Sequence, residues 1–137
     1  MTTPPIQNIA VIGLGTIGHS VAQVYAAAGC TVRCFDPDPT TGASLADRVR
    51  TNLKQMASAG LSSPDEIEHV VSRFVICDSE VEAVSGAEFV SEAAAEDLPI
   101  KQALFARLEN HIDRYTILAS NTSTYLKPPA TTSTGYI

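Results

Sequence analysis

Positive charge is scarce in this 137-residue chain: nine Lys and Arg stand against fifteen Asp and Glu, a formal net charge of −6. No basic stripe runs along it, which argues against nucleic acid and against an anionic membrane surface as partners. Long apolar runs are missing too. Nothing approaches the ~20 apolar residues of a membrane span, and Met1-Thr2-Thr3-Pro4-Pro5 lacks the charge and apolar core of a signal peptide. These absences favour a cytoplasmic protein whose partners are small molecules. Cysteine is sparse: Cys30, Cys34 and Cys77 are odd in number, lack the paired spacing of a zinc site, and read as small core residues. No metal site is expected. No internal repeat is visible, and the length suits one domain.

What the chain does have is a glycine triad in context. Asn8-Ile9-Ala10-Val11-Ile12 leads into Gly13-Leu14-Gly15-Thr16-Ile17-Gly18, and Asp36 ends the next apolar run about 20 residues later, as dinucleotide-binding folds require. Gly13 allows a sharp turn off the strand, Gly15 removes a side chain that would block a pyrophosphate, and Gly18 lets the following helix pack closely. Backbone N–H groups at that helix N-terminus hold phosphates without Lys or Arg, which suits an acidic chain. The expected cofactor contacts are therefore Gly13, Leu14, Gly15, Thr16, Ile17, Gly18 and Asp36. Asp36 accepts hydrogen bonds from ribose hydroxyls, its charge repels a 2′-phosphate, and no Arg follows it closely, so NAD is expected rather than NADP.

The rest of the pattern alternates strands and helices. Ile9 to Ile12 reads as a strand buried on both faces, and Ile17, Val21, Val24, Tyr25 and Ala28 follow helical spacing up to Gly29. Thr31 to Phe35 is a second strand. Pro39 and Thr40 open a helix marked by Leu45, Val49, Leu53 and Met56, ending near Gly60. Ser63-Pro64-Asp65-Glu66 reads as a capping box before a short helix through Ile67 and Val71. Further strands are expected at Phe74 to Cys77, at Phe89 and Val90, and at Thr116 to Ser120. Helices are expected at Val81 to Val84 and from Pro99, with Ile100, Leu104, Leu108 and Ile112 along one side. This order implies an α/β fold with a doubly wound parallel sheet, the Rossmann arrangement, over residues 1–126, with its ligand at the C-terminal strand ends. Residues 127–137, rich in Pro, Thr and Ser, read as an irregular tail.

Together with the glycine loop and Asp36, the segments Ser91-Glu92-Ala93-Ala94-Ala95-Glu96-Asp97-Leu98-Pro99-Ile100-Lys101 and Ala119-Ser120-Asn121-Thr122-Ser123 resemble the NAD-binding domain of L-3-hydroxyacyl-CoA dehydrogenases. The resemblance runs from about Asn8 to Thr124. It implies that Glu96 and Lys101 approach the cofactor, that Ser123 contacts both substrate and nicotinamide, and that Asn121 lies at the substrate. Read from the residues alone, Glu96 or Asp97 serves equally well as a helix N-terminal acid, Lys101 as a solvated charge, and Asn121 to Ser123 as turn formers.

The chain departs from the family pattern in two ways. Asn52 and Ala59 stand where mitochondrial-type members carry the Ser and Lys that contact CoA, while Arg48-Val49-Arg50-Thr51-Asn52 looks like the related carnitine and gulonate 3-dehydrogenases, which oxidise small 3-hydroxy acids. The family's catalytic His and its Glu belong to a later segment, and His19, His69 and His111 do not take their place, so no catalytic residue is assigned. The resemblance thus implies the cofactor domain of an NAD-dependent oxidoreductase, with the C-terminal helical domain absent. Full-length members resemble homodimers; this chain is expected to be monomeric and inactive alone. The rival reading is a non-catalytic NAD-sensing module.

Overall fold

The computed structural model describes residues 6–94 and 97–121, and the backbone of 135–136. Six parallel strands form one sheet in the order β3-β2-β1-β4-β5-β6. They are β1 (Asn8–Ile12), β2 (Thr31–Phe35), β3 (Phe74–Ile76), β4 (Phe89–Glu92), β5 (Ile117–Ser120) and β6 (Gly135–Tyr136). The chain runs outward from β1 to β3 and then crosses back to β4, which puts the switch point between β1 and β4. A parallel doubly wound sheet binds ligands just beyond the strand ends at that point.

The central strand explains the layers. Alternate side chains of β1 point to opposite faces, so Ile9 and Val11 enter one core and Ala10 and Ile12 the other. The first core gathers α1 (Thr16–Ala27) and α3 (Leu45–Ser58) through Ala22, Ala26, Leu45, Val49 and Leu53. The second gathers α5 (Glu80–Val84) and α6 (Leu98–Glu109) through Ala83, Val84, Leu104 and Leu108. Gly29, at φ +101°, ends α1 in a conformation that side chains disfavour. Among the described residues, no helix is long and apolar enough to cross a membrane.

Four expectations are corrected. The helix expected from Pro39 to near Gly60 is two helices, α2 (Pro39–Ala43) and α3, divided at Ser44. Thr40, Thr41 and Gly42 are weak helix formers, and the Ser44 hydroxyl donates to the Thr41 carbonyl at 2.9 Å, a local bond that competes with helix continuation. The expected capping box is a 3-10 turn, Pro64–Glu66, leading into α4 (Ile67–Val71); Ser63 accepts from the Asp65 N–H at 3.3 Å. In α6 the buried face is Lys101, Leu104, Phe105 and Leu108, whereas Ile100 is 51% exposed. Finally, Gly135 and Tyr136, within the segment expected to be irregular, pair with Ile117 and Leu118 of β5. Two residues are too few to carry a readable period.

The cysteines are buried and unbridged. Burial first, and neighbouring Cys77 second, push the Cys34 thiol up to about 12. The thiolate is the reactive form, so Cys34 is expected to resist a thiol-specific alkylating reagent at pH 8 in the folded protein and to react fully in denaturant. Mass spectrometry of the labelled peptide checks this.

Candidate cofactor site

The chain leaves β1 at Gly13, whose N–H donates to the Phe35 carbonyl at 2.9 Å, and enters α1 at Thr16. The three glycines have different reasons for being there. Gly13 sits at φ +94°, and a Cβ on it would lie 2.7 Å from the Ala93 backbone carbonyl. At Gly18 a Cβ would lie 1.7 Å from the Gly13 oxygen. The fold itself therefore requires both. Gly15 is exposed, and a Cβ there would meet nothing within 4 Å. Its missing side chain serves the space outside the protein. The first turn of α1 has no side-chain cap and no acidic residue, so its positive end faces that same space.

Asp36 closes the other side. Its Oδ2 accepts the Leu14 N–H at 2.9 Å and its Oδ1 accepts the Asp38 N–H at 2.8 Å. A carboxylate oxygen has two lone pairs, so each oxygen keeps one for a ribose hydroxyl. Arg48 reaches the same loop from α3: its Nη2 donates to the Leu14 carbonyl at 2.7 Å and to Thr41 at 3.1 Å, and its Nε to Ser44 Oγ at 3.0 Å. This Arg is remote from Asp36 in sequence, and only the fold brings it to Leu14.

A cleft of about 460 Å³ runs from the glycine turn past Asp36 and Pro37, walled opposite by Ala93, Ala94, Ile100 and Leu104. Ile100 is exposed because it lines this cleft. At the rim Arg107 and Glu80 form a two-point ion pair at 2.8 and 3.0 Å, which holds the Arg107 guanidinium further above its usual range. The volume and apolar walls suit a planar base beside the ribose site.

Glu92, which sequence reasoning passed over in favour of Glu96, organises the β4 end. It is fully buried, and its Oε1 accepts Lys101 Nζ at 2.5 Å and the Ala94 N–H at 2.9 Å, while Oε2 accepts Ser120 Oγ at 2.7 Å. Lys101 Nζ also reaches the Ala94 carbonyl at 3.3 Å. Lys101 is thus no solvated charge; it is buried and holds the segment that packs on Gly13. The available signal is an acid closing a short strand that lies in the middle of the sheet. Asn121 is exposed at the end of β5, with its Nδ2 donating to Ser91 Oγ at 2.9 Å and to the Glu92 carbonyl at 3.0 Å. Glu96 and Ser123 lie outside the described residues. His69 and His111 are exposed, on α4 and beyond α6, away from the cleft lining. Among the described residues, no group of three His, Cys, Asp or Glu could hold a metal ion.

A parallel sheet in this order, with a glycine turn on its central strand and an acid ending the neighbouring one, defines a dinucleotide-binding domain. The chain belongs to the family of the 3-hydroxyacyl-CoA dehydrogenase NAD-binding domain, whose family model matches residues 8–131. NAD is accordingly the cofactor, and the residues present fit it at Gly15 and Asp36. The chain is similar to the probable 3-hydroxybutyryl-CoA dehydrogenase of Bacillus subtilis, 35% identical over 118 residues that make up 86% of this chain and 41% of that protein. It is also similar to the human lambda-crystallin homolog, 33% identical over 84% of this chain and 36% of that one. Among solved structures, 3-hydroxybutyryl-CoA dehydrogenase from Escherichia coli K12 superposes with a TM-score of 0.82 at 31% identity, over 89% of this chain and 26% of that chain. The chain thus spans well under half the length of these relatives.

Proposed function

We propose that this chain is the cofactor-binding part of an oxidoreductase that takes hydride from C3 of a 3-hydroxyacyl-CoA. NAD supplies the hydride-accepting nicotinamide; the chain's own residues bind and orient the dinucleotide and keep water from it. The observation that carries this reading is Gly15, the one glycine of the triad that the fold leaves free for a side chain. In it, the N–H groups of Gly15, Thr16 and Ile17 hold the pyrophosphate, Asp36 the ribose, and Ile100 and Leu104 the base. Lys101, Asn121, Glu96 and Ser123 belong to the nicotinamide end. The B. subtilis relative's name supports the acyl-CoA substrate.

One observation favours a small 3-hydroxy acid instead. The Asn52 amide, at a position where the CoA-contacting family members carry Ser, points inward to His19 Nε2 at 3.2 Å and Gln23 Oε1 at 3.0 Å. Oxidation of a hydroxyl at C3 also needs a positioned base. Among the described residues none of the three histidines lines the cleft, so the reading has this chain bind while a base elsewhere reacts. Following the NADH absorbance band with 3-hydroxybutyryl-CoA and with carnitine tests the placing of the base: the chain alone is expected to turn over neither compound, and turnover abolished by changing His19, His69 or His111 would place the base in this chain.

Asp36 also sets a preference between cofactors. A 2′-phosphate would face its negative charge, so calorimetric titration is expected to give NADH at least about tenfold tighter binding than NADPH. Equal affinities would remove Asp36 from the ribose site.

A further inference from the structure

Backbone N–H groups hold a phosphate best when their peptide planes are preorganised, and a bond to the carbonyl of the same peptide restrains that plane. Three peptides present the N–H groups of Gly15, Thr16 and Ile17; the Thr16 carbonyl of the third accepts Ser20 Oγ at 3.1 Å, within the first turn of α1, and the carbonyls of the first two are held by side chains as follows. The Leu14 oxygen accepts from Arg48 Nη2. The Gly15 oxygen accepts the His19 N–H at 3.0 Å and lies 2.9 Å from His19 Nδ1. A carbonyl cannot donate, so Nδ1 carries the proton and, in the neutral ring, Nε2 is left as an acceptor. It faces Asn52 Nδ2 at 3.2 Å, whose second hydrogen reaches Gln23 Oε1 at 3.0 Å; Gln23 Nε2 then approaches the Met56 sulfur at 3.6 Å. Each contact in this chain pairs a donor with an acceptor, and the direction is set by the Gly15 carbonyl.

Arg48 and Asn52 stand four residues apart on α3, one turn on the same face. We propose that α3 is a brace for the phosphate-binding loop: Arg48 fixes the Leu14–Gly15 peptide directly, and Asn52 fixes the Gly15–Thr16 peptide through His19. His19, Asn52 and Arg48 are then positioning residues for NAD, touching no cofactor atom themselves. The inference rests on reading the glycine loop as the NAD site. It also gives Asn52 a role that a CoA contact would not explain, since its amide is engaged on α1.

The test uses the full chain in the variants His19→Ala, His19→Asn, Asn52→Ala and the His19→Ala/Asn52→Ala double, with Gly15→Val as reference. NADH affinity is read by fluorescence titration and folding by the thermal transition. His19→Ala is expected to weaken NADH binding about tenfold, and the double variant no further, because Asn52 acts through His19. His19→Asn, whose Nδ2 stands where imidazole Nδ1 does, is expected to recover affinity to within about threefold of the unaltered chain. In nitrogen NMR, His19 is expected as the Nδ1–H tautomer in the unaltered chain and as a mixture in Asn52→Ala. Unchanged affinity in His19→Ala, additive effects in the double variant, or an Nε2–H tautomer in the unaltered chain would each overturn the brace. Should His19→Ala fail to fold, the His19→Asn affinity and the Asn52→Ala tautomer still decide it. Normal NADH binding by Gly15→Val would instead overturn the underlying reading of the loop, whatever the His19 variants do.

Discussion

Gly15→Val is expected to abolish NADH binding, by at least about a hundredfold, while the domain stays folded. The two halves of that expectation have separate grounds. A Cβ at Gly15 meets no protein atom within 4 Å, and the residue is extended with a negative φ of −70°, outside the left-handed region that favours glycine. Gly15 contributes no side-chain cap to α1, so replacing it costs at most about 1 kcal/mol there. The isopropyl group instead fills the approach to the first turn of α1, through which a pyrophosphate reaches the backbone N–H groups. A hundredfold loss is about 2.7 kcal/mol, modest for the contacts of a whole pyrophosphate. Gly18→Ala gives the contrast. Its Cβ would lie 1.7 Å from the Gly13 oxygen, so it is expected to lower the thermal transition as well as binding. Calorimetry with NADH beside differential scanning separates the two effects. A Gly15→Val chain that melts normally and binds NADH normally would make the glycine loop purely structural.

The two fold-required glycines, the open one and Asp36 were all legible in the sequence, because each belongs to a local motif whose spacing follows from the strand, turn and helix it builds. The parallel, doubly wound sheet was legible for the same reason, through alternation of elements. What was not legible depends on partners far along the chain. A 3.6-residue period places Ile100 inside, and the residues alone allow Lys101 as a solvated charge; in the structure Lys101 is buried on Glu92 at the end of β4 and Ile100 lines the cleft. Nothing local in the sequence ties Arg48 to the glycine loop until α3 folds against the Leu14 carbonyl, and Asn121 reads from the residues alone as a turn former until β5 lies beside β4. The division at Ser44 turned on a local hydroxyl bond that apolar spacing does not register.

The Glu92–Lys101 pair predicts the second large effect. Lys101→Met keeps the volume and apolar stem of the side chain but removes a cation that pairs with a fully buried carboxylate. A buried ion pair adds little net stability over an apolar substitute, yet removing one partner leaves an uncompensated charge and costs about 3–5 kcal/mol. For a domain of this size that corresponds to a fall of about 10–15 °C in Tm. The Ala94 N–H and the Ser120 hydroxyl still reach Glu92, so the carboxylate is not stripped of hydrogen bonds, and the loss is that of charge balance. Glu92→Gln combined with Lys101→Met removes the charge while keeping an acceptor for Ala94. That double variant is expected to recover most of the stability lost in Lys101→Met alone, a coupling that a simple loss of packing would not produce. NADH affinity should follow the same order, because Ala93 and Ala94, held by this pair, form the wall against Gly13. Differential scanning calorimetry of the two variants decides it: a Lys101→Met chain melting within about 2 °C of the unaltered protein, or a double variant less stable than the single one, would show that the pair does not hold the β4 end in place.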